Sequence, residues 1–104
     1  MKVKVLESYK SSLNEIYDYN TRYSLKYAMR MNKHFRTKLE LLEDFPYIGR
    51  YLPEEDFKKY RELICQKYRI LYTVSEKEDI VYIHYIIYAG RNFRAFFRIY
   101  NSQN

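Results

Sequence analysis

Arginine is the residue through which this chain could most readily do chemistry. Arg61 lies in one run of alternating residues, Arg69 in the next and Arg91 just past a third, and Arg94 and Arg98 then follow at spacings of three and four. A guanidinium stays charged at any working pH, and its planar fork pairs with two phosphate oxygens at once. Such a set could hold a phosphodiester backbone or stabilise charge developing on one. The structural alternative for each arginine is an ion pair, most simply with the neighbouring Glu62, or a contact to a protein partner.

Groups able to move protons or attack a bond are scarce. His84 falls inside an apolar strand-like run, where a hydrogen-bonded core histidine is the expected identity, and His34 lies on the surface of a helix. Glu62 could act as a base only if burial raised its pKa, which the adjacent arginines would oppose. Cys65 is the only cysteine, so no disulfide within the chain and no cysteine-rich metal site is expected. There is no phosphate-binding glycine loop, no histidine pair at metalloprotease spacing and no Gly-x-Ser-x-Gly elbow. No cofactor or metal is therefore expected.

The elements that must carry these residues follow from periodicity. Val3 and Val5 alternate with Lys2 and Lys4, which predicts a short first strand; Ser8 is the expected cap of a helix running to about Tyr19, with Leu13, Ile16 and Tyr17 inward. Ser24 caps a second, longer helix whose stripe is Leu25, Ala28, Asn32, Phe35, Leu39 and Leu42, and Phe45-Pro46 ends it. Gly49 supplies a permissive turn, and a loop continues through Pro53 and Glu54-Glu55-Asp56. From Tyr60 the period changes to two. Tyr60 to Cys65, Tyr68 to Ser75 and Asp79 to Tyr88 predict three strands, joined at Gln66-Lys67 and at Glu76-Lys77-Glu78 into an antiparallel meander.

With the first strand this makes a four-stranded, largely antiparallel sheet, both helices on one face. Tyr68, Ile70 and Tyr72 then turn to the helices and Arg69 to the open side. Beyond Gly90, Phe93, Phe96, Phe97 and Tyr100 share one face of a short closing helix, and Arg91, Arg94 and Arg98 share another. The fold class is α+β: a short first strand, a two-helix hairpin, a three-stranded meander and a C-terminal helix, forming one domain over residues 1–104.

At 104 residues, 47% hydrophobic and 31% charged, the chain has the composition of a folded domain with one core. Fourteen tyrosines and no tryptophan put many aromatic hydroxyls where they must reach water or a partner, which predicts tyrosines at core edges. A net charge of +6 favours an acidic partner, nucleic acid or protein. The N-terminus reaches Glu7 before any apolar run of signal length, and Ile80 to Ala89 is too short to span a membrane. A cytoplasmic location away from the membrane is expected.

Four segments in this order carry a resemblance: Phe45-Pro46-Tyr47-Ile48-Gly49-Arg50, Tyr60-Arg61-Glu62-Leu63, Tyr68-Arg69-Ile70-Leu71-Tyr72 and Ile86-Ile87-Tyr88-Ala89-Gly90-Arg91. Together they resemble the RelE/ParE superfamily of toxins from bacterial type II toxin-antitoxin systems, from the first strand through Arg91. The resemblance implies a growth-inhibiting toxin of a plasmid-stabilisation type of module, restrained by a cognate antitoxin with an acidic or amphipathic segment. Two targets occur among such toxins: RelE-like members cut messenger RNA in the ribosomal A site, and ParE-like members poison DNA gyrase.

For a RelE-like nuclease the resemblance assigns Arg69 and Arg91 to stabilising the scissile phosphate, with Arg61, Arg94 and Arg98 as contacts to target or nucleic acid. The chain departs from that pattern. Lysines common in the strand at Tyr60-Arg61-Glu62-Leu63 are missing, and Phe97 stands near the place of a terminal-helix tyrosine. Tyr100 lies one turn further, roughly 5 Å along a helix. The chain ends Asn101-Ser102-Gln103-Asn104, without the histidine some relatives use. These departures favour a ParE-like, non-cleaving member over a ribosome-dependent endonuclease. A reading of another class is a basic nucleic-acid or protein-binding module acting through Arg91, Arg94 and Arg98.

Overall fold

The computed structural model describes residues 1–52 and 59–90. The expected loop from Pro53 to Asp56 and the closing helix with Arg91, Arg94 and Arg98 lie outside the described residues. Among the described residues seven elements follow in the order β1 (Lys2–Val5), α1 (Glu7–Thr21), α2 (Leu25–Asp44), β2 (Arg50–Tyr51), β3 (Arg61–Cys65), β4 (Tyr68–Ser75) and β5 (Ile80–Tyr88).

Among the described residues the sheet has five strands in the order β1-β5-β4-β3-β2, one more than expected. The extra strand is β2, two residues long, in the segment expected to be loop; Arg50 and Tyr51 pair with Glu62 and Arg61. Two residues are too few to show an alternating pattern, so periodicity could not reveal it. The three long strands form the expected antiparallel meander, and β1 joins β5 in parallel, Val3 opposite Val81 and Val5 opposite Ile83. Both tight turns require a left-handed residue, Gln66 (φ 57°) in the first and Asp79 (φ 59°) in the second.

The helical hairpin lies on one face of the sheet. Its core joins Tyr9, Met31, Phe35 and Leu42 from the helices to Leu63, Cys65, Tyr68, Ile70, Tyr72, Val81, Ile83 and Ile86 from the strands. Met31 takes an inward place, while Leu25, at the start of the expected stripe, is exposed. Ser24 caps α2 as expected, accepting a hydrogen bond from the Tyr27 amide at 3.1 Å.

Ser8 does not cap α1. The capping position is Leu6, which makes no side-chain cap, and the helix runs two residues past Tyr19 to Thr21. Ser8 instead donates from Oγ to the His84 carbonyl at 2.6 Å, and Ser12 Oγ, four residues on, accepts from the Ile86 amide at 3.2 Å. β1 pairs with β5 only as far as Ile83. Beyond it the edge of β5 would be left unsatisfied, and two serines one helical turn apart supply the missing partners. A pattern read within one element could not show that demand.

Gly49 has a different purpose from the one expected. Its φ is not positive, so no special turn conformation requires glycine there. A Cβ at Gly49 would stand 2.5 Å from the Tyr72 hydroxyl and 2.6 Å from the Glu62 carbonyl oxygen. The loop is glycine because the chain passes against β3 and β4, where the Gly49 amide donates to Tyr72 Oη at 2.8 Å.

Candidate functional site

The face of the sheet away from the helices has a small apolar cluster of its own, Leu52, Tyr60, Leu71, Tyr85 and Ile87. Beside it β2, β3 and β4 bring three charged side chains together. Arg50 is directly opposite Glu62, and Arg69 is two pairs further along, opposite Ile64 and so on the same face. Cross-strand neighbours share a face, so register alone aims all three side chains at one point.

Glu62 is the centre of that group. Its side chain is fully buried, and its two oxygens divide between the arginines: Oε1 accepts from Arg50 Nε at 2.6 Å and Oε2 from Arg69 Nε at 2.5 Å. The arginines differ in setting. Arg50 keeps 71% of its side chain exposed, whereas Arg69 keeps 11%. A buried carboxylate needs such company, since an ion without a partner costs several kcal/mol. Arg69 does face away from the helices, as the alternation of Tyr68, Ile70 and Tyr72 implied, yet it is buried rather than on an open side.

Arg61 points the other way, to the helix side of β3. Its Nη1 donates to the Gly49 carbonyl at 2.8 Å, and its guanidinium stands 4.1 Å from the centre of the Tyr51 ring and 5.1 Å from that of Tyr47. It clamps the Pro46 to Arg50 loop against the sheet. The structure thus brings Arg69 and Glu62 together with Arg50, which sequence reasoning quoted only as part of a loop motif, and places Arg61 apart. The missed signal was the β2 ladder that sets Arg50 opposite Glu62.

Candidate acids, bases and nucleophiles are occupied otherwise. His84 sits at a bulge, since Leu71 pairs with Tyr85 and Tyr72 with Ile83. Its Nε2 bonds Thr73 Oγ1 at 2.8 Å, and the Tyr60 ring meets it edge-on. Burial, with Lys59 adding to it, lowers its pKa to about 4, so it is neutral at pH 7. Cys65 is buried on the helix side, where burial pushes its thiol pKa up. A protonated, enclosed thiol is a poor nucleophile. Among the described residues no group of three or more His, Cys, Asp or Glu side chains is placed to hold a metal, and no helix is long and apolar enough to cross a membrane.

The family model for the ParE toxin of the type II toxin-antitoxin system, parDE, matches residues 3–93. The chain belongs to the ParE toxin family. Solved structures agree on the fold. The chromosomal ParDE system of P. aeruginosa superposes with a TM-score of 0.72 at 18% identity, over 85% of this chain and 95% of that one. The RelBE2 toxin-antitoxin complex of Mycobacterium tuberculosis gives 0.57 at 15% identity, over 84% and 95%. No curated protein sequence gives a significant match. In this ParE-family chain, then, the strand arginine that the resemblance would assign to a nuclease is bound to a buried carboxylate.

Proposed function

We propose that this chain arrests bacterial growth by acting on DNA gyrase, without cutting nucleic acid through its own residues, and that a cognate antitoxin with an acidic or amphipathic segment restrains it. The engagement of Arg69 carries this reading. An arginine that stabilises a scissile phosphate must present its fork to substrate, and Arg69 is buried with Nε on Glu62. Drawing it away would strip a fully buried carboxylate of one of the two cations that hold it among the described residues, at a cost of roughly 3–5 kcal/mol by analogy with broken buried pairs. His84, neutral and hydrogen-bonded, supplies no ready proton for a leaving 5'-oxygen.

The antitoxin is supported by the family and by the solved relatives, which come from toxin-antitoxin systems. The +6 charge suits an acidic partner and speeds encounter with one. The pair would work in the cytoplasm and favour retention of the plasmid or locus that encodes it.

Inducing the chain in bacteria without its antitoxin tests the proposal. Growth should stop, and gyrase-linked DNA breaks should appear before full-length messenger declines. Messenger cleavage appearing first, with DNA intact, would overturn it.

A further inference from the structure

A groove of about 620 Å³ opens where the tip of the helical hairpin meets the ends of β4 and β5. It is built from Ile16, Tyr19, Tyr23 and Tyr27 on the helices and their connection, and from Tyr68 and Tyr88 on the sheet. Tyr19, Tyr23, Tyr27 and Tyr88 are each exposed, and Leu25, also exposed, lies in the same helical segment. A small domain rarely concentrates exposed rings in one concavity unless something covers them. Here the rings come with polar handles: the Tyr19 and Tyr23 hydroxyls meet at 3.4 Å, and Asn20 Nδ2 donates to Tyr68 Oη at 3.3 Å. Tyrosine of this kind is typical of surfaces that are wet when alone and buried when paired.

The charges on the groove's walls say what covers it. Glu15 on α1 and Lys67 on the β3–β4 turn are its charged lining residues among those described, opposite in sign and on different walls. A strongly acidic partner would meet Glu15 with a like charge, and a strongly basic one would meet Lys67. A second copy related by a two-fold axis meets neither conflict, because Glu15 of each copy can face Lys67 of the other. Two chains of net charge +6 repel over most of their surfaces, so a neutral, self-complementary patch is where they can approach.

We infer that this tyrosine-lined groove is the self-association surface of the chain, forming a two-fold dimer with reciprocal Glu15–Lys67 pairs at its rim. The inference does not depend on the toxin's target. It is tested by sedimentation equilibrium of the purified full chain over a range of concentrations, with circular dichroism to show that each variant is folded. A reversible dimer is expected. Tyr23→Asp, Glu15→Lys and Lys67→Glu should each weaken it about tenfold or more, and the Glu15→Lys/Lys67→Glu double variant, which restores opposite charges across the axis, should return to within about threefold of the parent. A chain that stays monomeric at its highest soluble concentration would overturn the inference. So would a dimer indifferent to the three single changes, or one that the double charge swap does not recover.

Discussion

Glu62 and Arg69 sit diagonally across β3 and β4, with Arg69 Nε donating to Glu62 Oε2 at 2.5 Å and both side chains buried. Arg50 holds the other oxygen from the edge strand. The arrangement ties Arg69 to a buried carboxylate and leaves Arg50 as the more exposed arginine of the three-residue group.

The stabilities of the three partners should therefore separate. Glu62→Gln leaves Arg69 buried opposite a neutral group and should cost about 3 kcal/mol or more, whereas Arg50→Ala, which removes a largely exposed partner, should cost about 1 kcal/mol or less. Glu62→Leu combined with Arg69→Met should recover much of the loss, because both members of the buried pair are then replaced by apolar side chains. Urea denaturation of the three variants checks the order; equal losses for Glu62→Gln and Arg50→Ala would contradict it.

Gly49→Ala should destabilise by about 2 kcal/mol or more, since the new methyl meets both Tyr72 Oη and the Glu62 carbonyl oxygen. Adding Tyr72→Phe removes one of those obstacles, so the double variant should be more stable than the sum of the two single losses predicts. Strict additivity in thermal melts would show that the clash is relieved elsewhere.

His84 makes stability depend on pH in one direction. Its pKa falls from 6.5 to about 4 on folding, so between those values the unfolded chain binds more protons than the folded one. The contribution is complete above pH 6.5 and is lost as pH falls toward 4. His84→Gln should flatten the melting-temperature profile in that window while leaving the carboxylate-driven fall below it. An unchanged slope would mean that His84 binds its proton equally well in the folded and unfolded chain.

Two buried tyrosines should respond oppositely to loss of their hydroxyls. Tyr9 Oη is buried with no hydrogen-bond partner among the described residues, so Tyr9→Phe removes an unsatisfied group and should be neutral or stabilise by up to about 1 kcal/mol. Tyr72 Oη accepts from the Gly49 amide, so Tyr72→Phe orphans a buried donor and should cost roughly 1–3 kcal/mol. Denaturation midpoints that move the same way for both would contradict these assignments.

The sequence disclosed the long elements well, because each carried its own period. β4 runs from Tyr68 to Ser75 as the alternation predicts, and α2 ends at Asp44, just before Phe45-Pro46. It disclosed less where a residue answers to another element. Ser8 resembles a helix cap but serves the edge of β5, and Gly49 resembles a turn glycine but makes room for Tyr72. Arg69 was legible as pointing away from the helices, whereas its burial depended on Glu62 and on the pairing of the two-residue β2, too short to leave a pattern. The tyrosine groove escaped for the same reason, its walls coming from residues 15–27, 67–68 and 88.

The proposed action on gyrase, without RNA cleavage by the chain itself, can be read directly. The direct measurement sets purified chain beside two substrates: programmed ribosomes carrying messenger, and gyrase with supercoiled plasmid. The account predicts intact messenger at every chain concentration and accumulation of gyrase-linked double-strand breaks in the plasmid. Messenger cleaved in the ribosomal A site by the parent chain and lost in Arg69→Ala, with plasmid unbroken, would contradict it.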